Sequence, residues 1–192
     1  RVVGLVLVGR VGIGRGLAGV RRCEAIRECP RKGGAVTGNE SKPHSTPEAL
    51  FRSTFGFPGF RPGQADIGGY ILAGRPTLCV MPTGAGKSIC YQVPALLLDG
   101  LTVVISPLTA LMDDQVAALQ ANGVAAAAIH SGRDRNDNVE DWRRVQSGEI
   151  RLLYLSPERL MTGRMLAALD TVAPAMFVVD EAHCISKWGA SF

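Results

Sequence analysis

The stretch that decides the fold is "VMPTGAGKSICYQVP", Val80 to Pro94. It leaves a short apolar run, Thr77 to Met81, breaks into a loop of Pro, Thr, Gly and Ala, and resumes with helical spacing at Lys87-Ser88. A loop whose backbone N–H groups converge at a helix N-terminus meets an anion with fixed donors and the positive end of the helix dipole. Thr83, Gly84, Ala85 and Gly86 supply that loop, Lys87 is placed to reach the β and γ phosphates, and the Ser88 hydroxyl to ligate Mg²⁺. Of the strict pattern G-x-x-x-x-G-K-[ST] only the first Gly is missing, its place taken by Met81.

Outward from this loop, apolar runs of strand length alternate with helical ones. The pattern predicts strands over 77–81, 101–105, 124–129, 151–155 and 175–179. Helices are predicted over 87–98, 108–121, 137–147 and about 157–170. Upstream, "STPE" predicts a helix capped by Thr46 with Pro47 in its first turn, and a second helix follows Pro62. Strands that are apolar throughout, interleaved with helices, mean a mainly parallel sheet with helices on both faces. In such sheets ligands bind at the carboxyl ends of the strands. "AMFVVDEAH" delivers Asp180 to that edge, where it would hold Mg²⁺ through its water shell while Glu181 polarises an attacking water.

Composition bounds the rest. The chain has 192 residues, 46% of them hydrophobic and 20% charged, as in a soluble globular domain. Its net charge of +4 is unevenly spread: residues 1–46 carry 9 Lys or Arg against 3 acids, a balance of +6, and the remainder is at −2. Overall basicity is therefore no nucleic-acid footprint, and a binding surface must be local. Cys23, Cys29, Cys79, Cys90 and Cys184 make no C-x-x-C pair, which fits a reducing, cytoplasmic setting, with Cys79 and Cys90 as small buried hydrophobes. Residues 1–46 read as a disordered or unassigned leader ahead of a domain over 47–192. The leader's opening "VVGLVLVG" is too short to span a bilayer, and Gly14-x-Gly16-x-x-Gly19 matches a dinucleotide fingerprint with no periodic helix behind it. No membrane partner is expected.

"MPTGAGKSICYQVPAL", "SPLTALMDDQV", "YLSPERL" and "DEAHCISKWGASF", in this order, resemble the RecQ family of ATP-dependent DNA helicases. "FGFPGFRPGQ", Phe55 to Gln64, is similar to that family's motif ahead of the phosphate loop, so the resemblance covers about residues 47–192. It implies a RecA-like P-loop NTPase domain, with ATP and Mg²⁺ as cofactors and catalytic roles for Lys87, Asp180 and Glu181. It also implies that Phe57 stacks on adenine with Arg61 and Gln64 at the polar edge of the base, a set that suits a purine; the alternative is that Phe57 packs and Arg61 caps. Its DNA partner is single-stranded DNA or a duplex with a single-stranded tail. Contacts to it are implied at Ser106 of "SPL" and Ser156 of "SPERL", residues that equally suit N-capping, and at Trp188 and Phe192, whose rings offer stacking faces.

The chain departs from the family at Lys187, where Gln is usual, at Ala190-Ser191, where a His-Asp pair is usual, and at Asp113, where Lys is common. The resemblance further implies a second RecA-like domain that closes over the nucleotide and donates an arginine; these 192 residues contain no such domain and read as a fragment ending after the DEAH motif. The expected function is thus the ATP-binding motor domain of a 3′-to-5′ DNA helicase. Two alternatives are a nucleotide-binding module without turnover of its own and a DEAD-box-like RNA helicase domain.

Overall fold

The computed structural model describes residues 3–10 and 46–187. Two short helices, α1 (Pro47–Phe55) and α2 (Gln64–Leu72), lead into an alternation of strands and helices: β2 (Thr77–Pro82), α3 (Lys87–Leu97), β3 (Thr102–Ile105), α4 (Thr109–Ala121), β4 (Ala126–Ile129), α5 (Arg135–Gln146) and β5 (Leu152–Leu155). Then come α6 (Pro157–Leu160), α7 (Gly163–Val172) and β6 (Met176–Val179), ending in a 3-10 turn, Ala182–Lys187. The predicted strands lie within two residues of those observed. Helix starts follow local capping: the Thr46 hydroxyl accepts from Ala49 N–H at 3.4 Å, and Asp134 accepts from Asn136 N–H at 2.7 Å, which starts α5 two residues before the predicted boundary. The helix expected near 157–170 is two helices, because Thr162 caps a new one by accepting from Met165 N–H at 3.3 Å.

With β1 (Val3–Arg10), the strands form one sheet in the order β2-β1-β6-β3-β5-β4. β3, β4, β5 and β6 pair in parallel. Their side chains alternate between two cores, as period-2 geometry requires. Val104, Ala126, Ala128, Leu152, Tyr154, Met176 and Val178 face α2, α3 and α4; Val103, Ile105, Ala127, Ile129, Leu153 and Leu155 face α5, α6 and α7. Burying a Val, Leu or Ile fully stabilises by about 1.5–3 kcal/mol, and this double layer is the bulk of the core. Cys79 and Cys90 are buried in it as expected, and burial pushes the Cys90 thiol up to about 12, so both act as hydrophobes.

The remaining strand corrects the reading of the leader as disordered or unassigned for residues 3–10. Val3–Arg10 forms β1, which runs antiparallel to both neighbours and separates the phosphate-loop strand β2 from the acid-bearing strand β6. Val6 and Val8 are 1% and 2% exposed. An eight-residue run rich in Val and Leu has strand composition and strand length; that it joins the middle of the sheet is a long-range pairing that no local pattern announces. Residues 11–45, with Gly14, Gly16, Gly19, Cys23 and Cys29, lie outside the described residues, as do Trp188, Ala190, Ser191 and Phe192. Among the described residues no helix is long and apolar enough to cross a membrane, and no group of three or more His, Cys, Asp or Glu is placed to hold a metal ion.

Candidate nucleotide site

The site lies at the carboxyl edge of the sheet, where β2 and β6 end. Because β1 stands between them, the two strands are about 10 Å apart at the usual spacing of 4.7–4.9 Å per strand. That gap opens at the mouth of the phosphate loop. The loop turns through Gly84 and Gly86 at φ +79° and +81°, a conformation that only glycine adopts freely, and Ala85 N–H closes a turn on Pro82 O at 3.2 Å. At Gly86 a Cβ would also sit 2.6 Å from Gln64 Nε2. α3 then begins at Lys87, with Gly86 as an N-cap that has no side chain, so the first amide groups of the helix point into the loop without a carbonyl one turn back.

Lys87 and Glu181 meet across the gap. Lys87 Nζ lies 3.5 Å from Glu181 Oε1, and His183 Nδ1 lies 3.2 Å from Oε2, so the carboxylate is held from both sides. Glu181 takes φ +50°, an uncommon value for a side chain of this size, and this left-handed turn is what aims it back at the loop. Asp180, immediately before it, is 5% exposed and accepts from Glu181 N–H at 2.9 Å. Burial pushes its carboxyl above the ordinary value; the Glu181 N–H bond and the charges of Lys87 and His183 offset this only in part, while the Glu181 charge adds to it. Its buried carboxyl oxygens are suitable ligands for a hard divalent cation that prefers oxygen. Asp180, expected at a magnesium site, thus has the donor chemistry for one.

The elements upstream hold the loop. Phe51, Phe57 and Phe60 form a stack, with Phe51 4.5 Å from Phe60 and 5.5 Å from Phe57, and Phe57 stays 51% exposed with a ring face available to a planar ligand. Arg61 and Gln64, expected at the edge of an adenine, are here turned onto the loop. Arg61 donates to Gly84 O at 2.7 Å. Gln64, 3% exposed, accepts from Arg61 N–H at 2.8 Å and donates to Ala85 O at 3.2 Å and Gly86 O at 3.0 Å. In this conformation both side chains are engaged with loop carbonyls, so they fix the shape of the cradle. The physical reason is that a loop turning its N–H groups outward must turn its carbonyls inward, and these need donors.

Ser106 and Ser156 end β3 and β5 on the same edge, but they are 2% and 1% exposed, and neither hydroxyl has a hydrogen-bond partner. Neither serves as a side-chain cap: α4 takes Leu108 as its N-cap, and Ser156 precedes α6 without a capping bond. Neither hydroxyl is open to a nucleic acid in this conformation. Asp113, where a cation is common in similar sequences, faces His130: Gly132 N–H donates to His130 Nδ1 at 3.2 Å, which leaves the proton on Nε2, 3.1 Å from Asp113 Oδ1. The departure from the family is thus absorbed by a local hydrogen bond. Below the loop, sequence reading missed a buried polar group in which Gln92 Nε2 donates to Tyr154 OH at 3.2 Å and to Gln115 Oε1 at 2.9 Å, with Tyr91 OH 3.4 Å from Tyr154 OH. Its only local signal is "YQ" in an otherwise apolar helix face.

A profile of DEAD/DEAH box helicases matches residues 61–192. The ATP-dependent DNA helicase RecQ of Haemophilus influenzae is 45% identical over 144 residues, which are 75% of this chain and 23% of that protein. The probable ATP-dependent DNA helicase RecS of Bacillus subtilis is 45% identical over 139 residues, 72% of this chain and 28% of that protein. The human ATP-dependent DNA helicase Q4 is 42% identical over 154 residues, 77% of this chain and 13% of that protein. The chain thus spans about a quarter or less of the length of many of its relatives. With the loop, the acid pair and the profile coinciding over most of its length, the chain belongs to the DEAD/DEAH box helicase family, and its relatives within that family are RecQ-type DNA helicases.

Proposed function

We propose that this chain is the ATP-binding motor domain of a 3′-to-5′ RecQ-type DNA helicase, in which hydrolysis of ATP drives the unwinding of DNA that carries a single-stranded segment. The observation that carries the reading is the contact of Lys87 with Glu181 across β1, which puts the phosphate-binding cation and the candidate base at one point over the loop. Entry of a triphosphate draws Lys87 away from Glu181 and onto the outer phosphates. Glu181, still held at Oε2 by His183, is then free to accept a hydrogen bond from water. Ser88 and Asp180 are the residues that would hold Mg²⁺, which when bound screens the phosphate charge. Phe57 offers its ring to the adenine, while Arg61 and Gln64 keep the loop in shape.

Titration calorimetry with Mg-ATP tests this. Lys87→Ala should lower the affinity at least 100-fold, and Glu181→Gln should leave binding within a few-fold of wild type while abolishing turnover in the full-length protein. Unchanged affinity in Lys87→Ala overturns the assignment. For the DNA reading, the full-length protein should separate a duplex with a 3′ single-stranded tail and leave one with only a 5′ tail intact.

A further inference from the structure

On the face of the sheet covered by α5, α6 and α7, a cleft of ≈330 Å³ opens between α5 and α7. Four arginines line it, Arg135, Arg143, Arg159 and Arg164, and no acidic residue does. Arg135, Arg159 and Arg164 make no ion pair among the described residues; Arg143 pairs with Glu140 at 3.3 Å, but both side chains are over three-fifths exposed, where such a pair contributes little. Two polar atoms lie buried there without a partner: Arg159 Nε, and the Oδ1 of Asn138, a residue 7% exposed. The Asn138 amide nitrogen is already committed to His130 O and Arg133 O. Trp142 and Met165 supply an apolar lining.

Four guanidinium groups around one cleft repel each other, and of the four only Arg143 has an acidic partner among the described residues, the exposed Glu140. A ligand that brings several anionic oxygens removes both that repulsion and the unsatisfied donor. Arginine forks match the paired oxygens of a phosphate, and an indole provides a stacking face for a base. The cleft has the size of a small-ligand site, so it holds about one nucleotide unit rather than a long segment. The cleft follows α5 from Arg135 in its first turn to Gln146 in its last, on the side of the sheet that holds β4 and β5 and away from the phosphate-loop strand β2.

We propose that the α5–α7 cleft binds a nucleotide unit of single-stranded nucleic acid, its phosphates on Arg135, Arg159 and Arg164 and its base against Trp142. This rests on the DNA reading above and extends it to residues outside every motif that suggested it, Arg159 excepted. The cleft lies on the β4–β5 side of the sheet and shares no residue with the phosphate loop, so the two ligands occupy separate sites.

The test uses the 192-residue chain with Trp188→Phe, in which Trp142 is the one remaining tryptophan. Adding oligo(dT) should quench Trp142 fluorescence, and Mg-ATP should not. Arg135→Glu with Arg164→Glu, both at exposed positions, should weaken oligo(dT) binding more than tenfold by anisotropy, with Mg-ATP affinity unchanged as the control for folding. The slope of log K against log salt should fall by about 1.4, since each phosphate contact on a single strand contributes about 0.7. Oligo(dT) binding with no quenching and no effect of the double reversal overturns the cleft assignment and leaves the DNA reading in place. Absence of any oligo(dT) binding by both this variant and the unsubstituted protein overturns both. Quenching by a polyglutamate peptide but not by oligo(dT) would assign the cleft to an acidic protein partner and overturn the proposal.

Discussion

At the scale of single residues the site is a set of charges held at some cost to the fold. Asp180 shows this best, because burial raises its carboxyl above the ordinary range and its neighbours compensate only in part. A carboxyl whose folded pKa lies above its unfolded value destabilises the fold once ionised. The cost is absent below the unfolded value, near 3.8, and fully present above the raised folded value, so it appears as pH rises through that window. Asp180→Asn, which keeps an oxygen to accept from Glu181 N–H, should therefore melt above wild type at pH 7 in EDTA, with 2–4 °C expected for about 1 kcal/mol. The difference should vanish as the pH falls below about 4. The same variant should lose the Mg²⁺-dependent part of its ATP affinity in titrations with and without the metal. A lower melting temperature at pH 7 would show that the carboxylate is stabilised by its neighbours rather than stranded. Gln64 teaches a related point: "RPGQ" shows a carboxamide near the loop, but not that its oxygen and nitrogen are both taken by Arg61, Ala85 and Gly86.

Among the elements, β1 matters most for the site. It supplies the ladder partners of both β2 and β6, so the N–H and C=O groups facing it on two strands depend on it. A carboxylate in its buried face would stand in an apolar core without a cation, a cost of several kcal/mol. Val8→Asp should accordingly lower the melting temperature by ten degrees or more and weaken ATP binding, whereas Leu108→Asp, at a position 51% exposed, should change stability by less than about 0.5 kcal/mol. Equal melting temperatures for the two variants would mean that β1 does not hold the sheet together in solution. The parallel strands were legible because each buries both faces and reads as an unbroken apolar run, such as "TVVI" and "LLYL". β1 has the same composition, but the 36 residues between it and α1 carry no strand signal that would tie it to the sheet.

For the molecule as a whole, the described residues bring Lys87, Asp180, Glu181 and His183 together at one edge of the sheet. Lys87 is the cation at the loop mouth, and Arg61 is engaged with Gly84 O. In related P-loop enzymes an arginine supplied from elsewhere accelerates phosphoryl transfer by about 10³–10⁵. The purified 192-residue chain should thus bind Mg-ATP, gaining about 2.7 kcal/mol of stability at 100 times its dissociation constant, yet release phosphate slowly and without response to single-stranded DNA. DNA-stimulated turnover by this chain alone would require a catalytic cation beyond those described. The sequence by itself determined what depends on neighbours along the chain: the glycine turn into α3, the caps on Thr46 and Asp134, the apolar strands, and the arrival of Asp180 and Glu181 at the end of one of them. Tertiary structure alone decided what depends on elements far apart in sequence meeting in space. It placed β1 between β2 and β6, turned Arg61 and Gln64 onto the loop, buried the Ser106 and Ser156 hydroxyls, and gathered four arginines around one cleft. Local patterns record the conformation of a segment and the face it buries, whereas these contacts follow from the order of strands in the sheet, which is set by the packing free energy of the whole chain.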